Sequence, residues 1–139
     1  MREIKFRVWD TEIKRMAHWD MLLDCWIHWL RGEDPKAIVM QYTGLKDKYG
    51  KEIWEGDVVM FLTEPPGAGG KTKKCCGEVW YRPEECGYSV KSPQFMYSSG
   101  RPMIIGLCPR PEYYEVVGNI YKNPDLLEAK KCGGEKQGQ

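Results

Sequence analysis

Much of the chain alternates apolar with charged residues, and a period of two residues predicts β-strands. Over residues 4–8 every second residue is apolar and those between are basic, which predicts a first strand with one face turned inward. A polar stretch follows, and residues 16–19 predict a short returning strand. Further apolar, β-branched or aromatic runs predict strands over residues 37–42, 51–54, 58–62, 77–81, 87–90, 103–107 and 114–121. The pattern therefore indicates a mainly β protein.

Two segments have helical signals instead. Apolar residues recur with helical spacing between Met21 and Leu30, which predicts a short helix whose two tryptophans, Trp26 and Trp29, serve either the core or a partner. Near the C-terminus, Asn123 and Pro124 predict the start of a final helix that ends before Gly133. Residues 133–139 are expected to fray.

Residues 44–59, GLKDKYGKEIWEGDVV, combine glycines with charged side chains. A phosphate-binding loop needs a helix directly after its glycines, but a β-branched strand follows here. Glu55 and Asp57 are two positions apart around Gly56, which predicts carboxylates that titrate normally in a solvated turn. The segment is therefore expected to form two turns, over residues 47–50 and 55–57, that set the direction of the strands.

Three blocks of sequence resemble one known family. MREIKFRVWD at the start, MQYTGLKDKYGKEIWEGDVV in the middle and YYEVVGNIYKNPDLLE near the end are similar to the YopX family of bacteriophage and prophage proteins. The resemblance implies a small, strongly bent β-barrel or barrel-like sheet, YopX-like, with a C-terminal helical turn. The entry into a strand through Glu55-Gly56-Asp57-Val58-Val59 is also typical of SH3-like barrels, and the short predicted helix is an insert that lies outside the three blocks. It implies an origin in temperate phages, but no assigned biochemical function and no catalytic residues.

Composition further limits the class of protein that the sequence encodes. The 139 residues carry a formal net charge of +1 and suit a single domain over residues 1–132 with a flexible tail. No apolar run approaches the roughly 20 residues of a membrane-spanning helix, and the N-terminus does not resemble a secretory signal. We therefore expect a cytoplasmic protein in a bacterial host. The six cysteines are expected to be reduced, and they lack the close-spaced pairs of a structural zinc site.

One segment carries a local excess of positive charge. Between residues 71 and 110, basic residues alternate with aromatic ones, a combination that single-stranded nucleic acid binding uses on small barrels. The candidate contacts to nucleic acid are Lys71, Lys73, Lys74, Arg82 and Arg101. The competing interpretation is a solvated lysine loop beside ordinary core aromatics, and the sequence leaves both open.

The sequence favours a binding protein over an enzyme. It predicts no catalytic residues, no cofactor and no metal site, and it contains only two histidines, His18 and His28, which are expected to be structural. Six tryptophans and eight tyrosines supply side chains suited to protein interfaces. The predicted function is binding of a host or phage protein, with homo-oligomerisation as a further expectation. The alternative is a nucleic-acid-binding module.

Overall fold

The computed structural model describes residues 3–21, 26–63, 69–70, 72–96, 99–107 and 109–128. Within these ranges the strands are β1 (Phe6–Asp10), β2 (Arg15–Ala17), β3 (Ala37–Lys46), β4 (Glu52–Trp54), β5 (Asp57–Thr63), β6 (Lys73–Arg82), β7 (Gly87–Met96), β8 (Pro102–Gly106) and β9 (Glu115–Asn119). One short helix, α1 (Trp26–Leu30), lies between β2 and β3, and 3-10 turns form at Trp19–Met21, Pro83–Glu85, Pro111–Tyr113 and Pro124–Leu127.

The strands form two antiparallel sheets. The first has four strands in the order β2-β1-β3-β4, and the second has five in the order β8-β7-β6-β5-β9. The second sheet curls strongly into a half-barrel, so the mainly β, barrel-like fold predicted from the sequence is confirmed. A β-bulge between Val58 and Val59, where β5 pairs with β9, adds to the bend at that edge.

The main core lies inside the curled sheet and is built from small β-branched and aromatic side chains. Val59, Val79 and Val90 come from three adjacent strands and are completely buried. Ile53 of β4 completes the contact between the two sheets and is also fully buried. The other members of this core are Phe61, Cys75, Met103 and Tyr114.

The sequence prediction was wrong for residues 92–96, which it assigned to a loop. They continue β7, because their polar side chains bond to the backbone of neighbouring elements. Ser92 Oγ donates to the carbonyl of Cys76 at 2.7 Å. Gln94 accepts from the N–H of Cys76 at 2.8 Å and donates to the carbonyls of Leu126 and Glu128. These buried polar groups all have hydrogen-bond partners, so they stabilise a strand whose sequence resembles that of a loop.

The β6–β7 ladder pairs Tyr88 with Tyr81, in an edge-to-face contact with ring centroids 5.5 Å apart, and pairs Trp80 with Ser89. The predicted final helix is a 3-10 turn over Pro124–Leu127 as far as the described residues extend. Asn123 does not cap this turn with its side chain, because its Oδ1 accepts the N–H of Asn119 at 3.2 Å.

The cysteines differ from one another in state. Cys75 is buried and free, and Cys86 is exposed and free. Cys76 is disulfide-bonded, so the expectation of reduced thiols is wrong at this position. Burial raises the pKa of the Cys75 thiol, which disfavours the thiolate that a nucleophile requires.

Within the part of the chain that the structure describes, no helix has the length and apolar character needed to cross a membrane. The same residues contain no cluster of three or more histidine, cysteine or acidic side chains placed to hold a metal ion.

Candidate binding sites

The turn between β3 and β4 is organised by a buried carboxylate. Asp47 Oδ1 accepts the N–H groups of Tyr49 and Lys51, each at 2.9 Å, and its Oδ2 accepts the N–H of Val116 in β9 at 2.9 Å. The turn also bonds to β9 directly, since the N–H of Lys48 donates to the carbonyl of Tyr114 at 3.0 Å. Asp47 therefore fixes the turn against the edge strand of the second sheet.

This contact changes the titration of Asp47. Burial alone would disfavour the charged carboxylate, but the N–H groups of Val116, Lys51 and Tyr49 outweigh that effect and hold its pKa below the usual value. Asp47 is thus ionised in the folded protein at neutral pH. The sequence predicted the turn over residues 47–50, but it did not show that its first residue, Asp47, bonds to the distant strand β9.

A groove lies beside this turn. It has a volume of about 440 Å³ and is formed by the β3–β4 turn, the end of β5, the start of β6 and the segment before β9. Its floor includes Phe61 and Tyr114, which are buried. Around it stand Tyr49, Leu62 and Tyr113, which are 72%, 61% and 50% exposed. We call this feature the tyrosine groove.

The charges around the tyrosine groove are balanced. Lys48 and Lys74 contribute positive charge and Glu112 and Glu115 negative charge. Lys48 lies 3.8 Å from Glu115, and its ammonium sits 5.4 Å from the centre of the Tyr49 ring. The groove therefore combines exposed aromatic and aliphatic surface with a polar rim and no excess of either charge, which is the composition of a protein interface.

A second site lies around the β4–β5 turn. Arg7 of β1 donates from Nη2 to Asp57 Oδ1 at 2.9 Å and to the carbonyl of Glu55 at 3.1 Å. Asp57 Oδ2 also accepts the N–H of Trp54 at 2.8 Å, and the Arg7 guanidinium lies 5.3 Å from the Trp54 ring centre. Arg7 and Asp57 are only 6% and 3% exposed. This buried ion pair joins the first sheet to the second.

The expectation that Glu55 and Asp57 are solvated and titrate normally is wrong. Burial raises the pKa of Asp57, and the charge of Arg7 opposes this rise only in part. Burial likewise raises the pKa of Glu55, whose Oε1 accepts the N–H of Gln41 at 2.6 Å. The turn itself forms as predicted, but it folds against β1 and β3 instead of facing water.

The residues predicted to contact nucleic acid do not all lie together. Lys73 and Lys74 begin β6 and are exposed, whereas Arg82 ends the same strand. Ten strand residues span about 30 Å, so Arg82 lies far from the two lysines. Arg101 precedes β8 and lies at the lysine end, because its neighbour Pro102 pairs with Met96, the last residue of β7. Lys71 lies outside the described residues, and nucleic-acid binding by this set stays a prediction.

The aromatic residues of that segment are also separated. Tyr81 and Tyr88 contact each other at the Arg82 end of the sheet. Trp80 is half-buried with the Lys91 ammonium 5.0 Å from its ring centre, and Tyr97 lies outside the described residues. The lysines and these ring faces therefore do not form one continuous track in the described residues.

Sequence reasoning missed both sites for a physical reason. The exposed side chains of the tyrosine groove come from three segments that are distant in the sequence, so no local spacing marks them. Arg7 was assigned to the outer face of β1, since a basic residue in an alternating strand usually faces water. The available signal was Asp57 in the WEGD turn, residues 54–57, because a carboxylate needs a cation once it is buried.

Comparison with known proteins supports the family resemblance over its second and third blocks, residues 40–59 and 113–128. The family model described as "YopX protein" matches residues 24–128. No curated protein matches the chain. Among solved structures, the chain is similar to protein EF1440 from Enterococcus faecalis, at 25% identity and a TM-score of 0.52, over 92% of this chain and 100% of that one. Since the family model covers well over half of the sequence, the chain belongs to the YopX family.

Proposed function

We propose that the protein is a non-enzymatic binding module that holds a segment of another protein in the tyrosine groove. The observation that carries the proposal is the convergence of Tyr49, Leu62 and Tyr113, all at least half exposed, around one concave surface. Clusters of exposed apolar side chains on a folded domain mark interaction sites, and tyrosine is enriched among the residues that dominate binding energy.

The charge balance of the groove supports a protein as its occupant. A nucleic acid is attracted by an excess of lysine and arginine, whereas Lys48 and Lys74 are matched here by Glu112 and Glu115. The matched rim suits a partner segment that inserts an apolar or aromatic side chain and carries charges of both signs beside it. The proposal extends to a phage or prophage origin, which the family resemblance implies, and to a place in the bacterial cytoplasm.

The absence of catalysis is part of the same proposal. Cys75 is buried with a raised thiol pKa, and His28 lies at the surface with its Nδ1 2.9 Å from Glu33. Neither arrangement activates a nucleophile. The buried carboxylate of Asp47 accepts backbone N–H groups, and that of Asp57 accepts a backbone N–H and pairs with Arg7. Both carboxylates therefore have a structural role in the proposal.

Affinity purification with matched variants tests the groove. The tagged protein, a Tyr49→Ala/Tyr113→Ala variant and a Tyr81→Ala control are each incubated with lysate of the bacterial host, and captured proteins are quantified by mass spectrometry. Tyr81 is 43% exposed and lies at another part of the sheet, so it controls for the loss of a surface tyrosine. A partner that the wild type and the control retain, and the groove variant loses, is then purified and titrated by calorimetry.

The calorimetric result decides the proposal. Direct binding that the groove variant weakens by about 100-fold, or about 2.7 kcal/mol, supports it. Equal affinity for all three proteins, or no specific capture, overturns it. Light scattering on the same samples tests the predicted self-association: an oligomer that only the groove variant loses would show that the groove is occupied by a second copy of the chain.

The second candidate function is nucleic-acid binding at the lysine end of β6. The observation in its favour is that Lys73, Lys74 and Arg101 lie at the same end of the sheet. Fluorescence polarisation with labelled single-stranded DNA and RNA over a salt series tests it. Lys73→Glu with Lys74→Glu is expected to weaken binding and flatten the salt slope, whereas Arg82→Glu at the opposite end serves as the control. Unchanged binding by the double variant contradicts this candidate.

A further inference from the structure

The Arg7–Asp57 pair borders a cavity that is separate from the tyrosine groove. The cavity has a volume of about 340 Å³ and is lined by residues of β1, β2, β4 and β9 and of the segments next to them. This volume is at the lower end of the range of small-molecule sites. Its wall includes the buried Trp54 and the exposed His18, and Gly118 and Asn119 line its other side.

Cationic groups without partners face this cavity. The two carboxylates in its lining are already engaged, since Asp57 pairs with Arg7 and Glu52 pairs with Lys5. By contrast, Lys51 and Lys122 also line the cavity, are exposed, and form no ion pair with a described residue. The positive charge of the lining is therefore only partly neutralised by the protein.

Arg7 adds a buried guanidinium to the lining, and its charge is paired with Asp57. Its guanidinium hydrogen bonds are all made through Nη2, and the buried Nε–H has no partner among the described residues. Arg7 also lines the cavity, so its guanidinium retains hydrogen-bonding capacity that the described groups of the protein do not use. The Arg7 side chain is 8% exposed and is held in place by Asp57 and Trp54, which makes it a preorganised donor.

Asn119 adds an uncharged donor. Its Oδ1 accepts the N–H groups of Tyr121 and Lys122, each at 2.9 Å. These two bonds fix the orientation of the amide, so its NH2 group makes no hydrogen bond with the described residues and remains available to an oxygen ligand. The cavity thus offers an arginine, two lysines and an amide to one occupant.

We propose that this cavity binds a small phosphate monoester of mononucleotide size. A phosphate monoester carries a charge of about −1.5 to −2 and several acceptor oxygens, which matches several cationic groups better than a single carboxylate does. The recess of Arg7 favours a small molecule over a nucleic-acid backbone, because a polymer requires an open track of exposed cations. Trp54, which also lines the cavity, gives the remainder of such a ligand an aromatic contact.

Calorimetric titration with inorganic phosphate and with adenosine, guanosine, cytidine and uridine monophosphates tests the proposal. Sodium sulfate and sodium chloride at matched ionic strength control for general charge effects. The variant is Lys51→Ala with Lys122→Ala, since both side chains are exposed and form no ion pair with a described residue, and their removal leaves the hydrogen bond between Arg7 and Asp57 in place. Lys73→Ala with Lys74→Ala removes the same charge elsewhere on the surface and is the matched control.

We expect saturable binding of at least one monophosphate, weakened about tenfold by the cavity variant and unchanged by the control. Amide NMR shifts at Gly118 and Asn119 on titration are expected to place the ligand in the cavity. Absence of saturable binding by the wild type, or equal affinity in the cavity variant, overturns the proposal. Tighter binding of a 20-residue single-stranded DNA that depends on the same two lysines would also overturn it and assign the site to a nucleic-acid backbone.

Discussion

The carboxylate of Asp47 accepts a hydrogen bond from the backbone N–H of Val116 at 2.9 Å, across 69 positions of sequence. The same side chain closes its own turn by accepting the N–H groups of Tyr49 and Lys51. One buried carboxylate therefore both shapes the turn that carries Tyr49 and attaches it to the edge strand. The tyrosine groove exists because these two segments are held side by side.

Replacing Asp47 with asparagine is expected to destabilise the protein by about 1–3 kcal/mol. The amide retains one acceptor oxygen but presents an NH2 group where the second carboxylate oxygen accepted an N–H, so a buried donor loses its partner. Urea unfolding followed by tryptophan fluorescence measures the change. Asp125→Asn is the control, since Asp125 is exposed. Equal stabilities of the two variants would show that the contact to Val116 contributes nothing.

The stabilisation by Asp47 is also expected to depend on pH. Its folded pKa lies below the unfolded value, which is about 3.9 for aspartate, so its contribution is complete above the unfolded pKa and is lost as the pH falls through the folded one. The difference in unfolding free energy between wild type and Asp47→Asn should be constant at neutral pH and shrink below about pH 4. Burial raises the pKa of Glu55 and of Asp57, so their contributions to stability change with pH in the opposite direction. Both residues are present in the wild type and in the variant, so these contributions cancel in the difference. A difference that persists unchanged into strong acid would contradict the assignment.

The buried ion pair should show strong coupling between its members. Arg7→Met or Asp57→Asn alone is expected to cost about 3–5 kcal/mol, because each leaves the other group buried without its partner. The double variant should cost less than the sum of the single changes, by about 0.5–3 kcal/mol. The cycle is measured by chemical unfolding of all four proteins. Strict additivity would mean that Arg7 and Asp57 stabilise the fold independently.

The sequence predicted the strands well where one face is apolar and the other polar, since that pattern depends on local alternation. It failed at Ser92 and Gln94, which are polar yet buried, because their partners are backbone groups of β6 and the C-terminal turn. It failed at Arg7 for the same reason: the ion pair with Asp57 spans 50 positions. Satisfied buried polar groups resemble loop or surface residues until the tertiary partner is known.

The candidate sites were less accessible to sequence reasoning than the fold. Residues 44–59, whose glycines and charges predicted two turns, do supply Tyr49 to the tyrosine groove and Lys51 to the cavity. Leu62 and Tyr113 had no distinguishing signal, because an isolated exposed apolar residue is common on any protein surface. These two residues indicate a binding site only because the fold brings them together around one concave surface.

Gly56 is expected to tolerate substitution less well than another glycine with nearly the same backbone conformation. Its φ is +84°, and a Cβ there would lie 2.8 Å from Met40 Sδ. Gly50 has a φ of +81°, but nothing lies within 4 Å of its Cβ position. Gly50→Ala should therefore cost about 1–2 kcal/mol, the strain of a left-handed backbone with a side chain. Gly56→Ala should cost more, because Met40 is 3% exposed and must move within the core.

Thermal and urea unfolding of the two glycine variants measure this difference in stability. The same measurements on Met40→Ala and on Gly56→Ala/Met40→Ala identify the source of the difference. Shortening the contacting side chain in Gly56→Ala/Met40→Ala removes the collision, so the penalty of Gly56→Ala in a Met40→Ala background should fall to that of Gly50→Ala. A penalty that is unchanged in this background would mean that backbone strain, and not the contact with Met40, requires glycine in the WEGD turn.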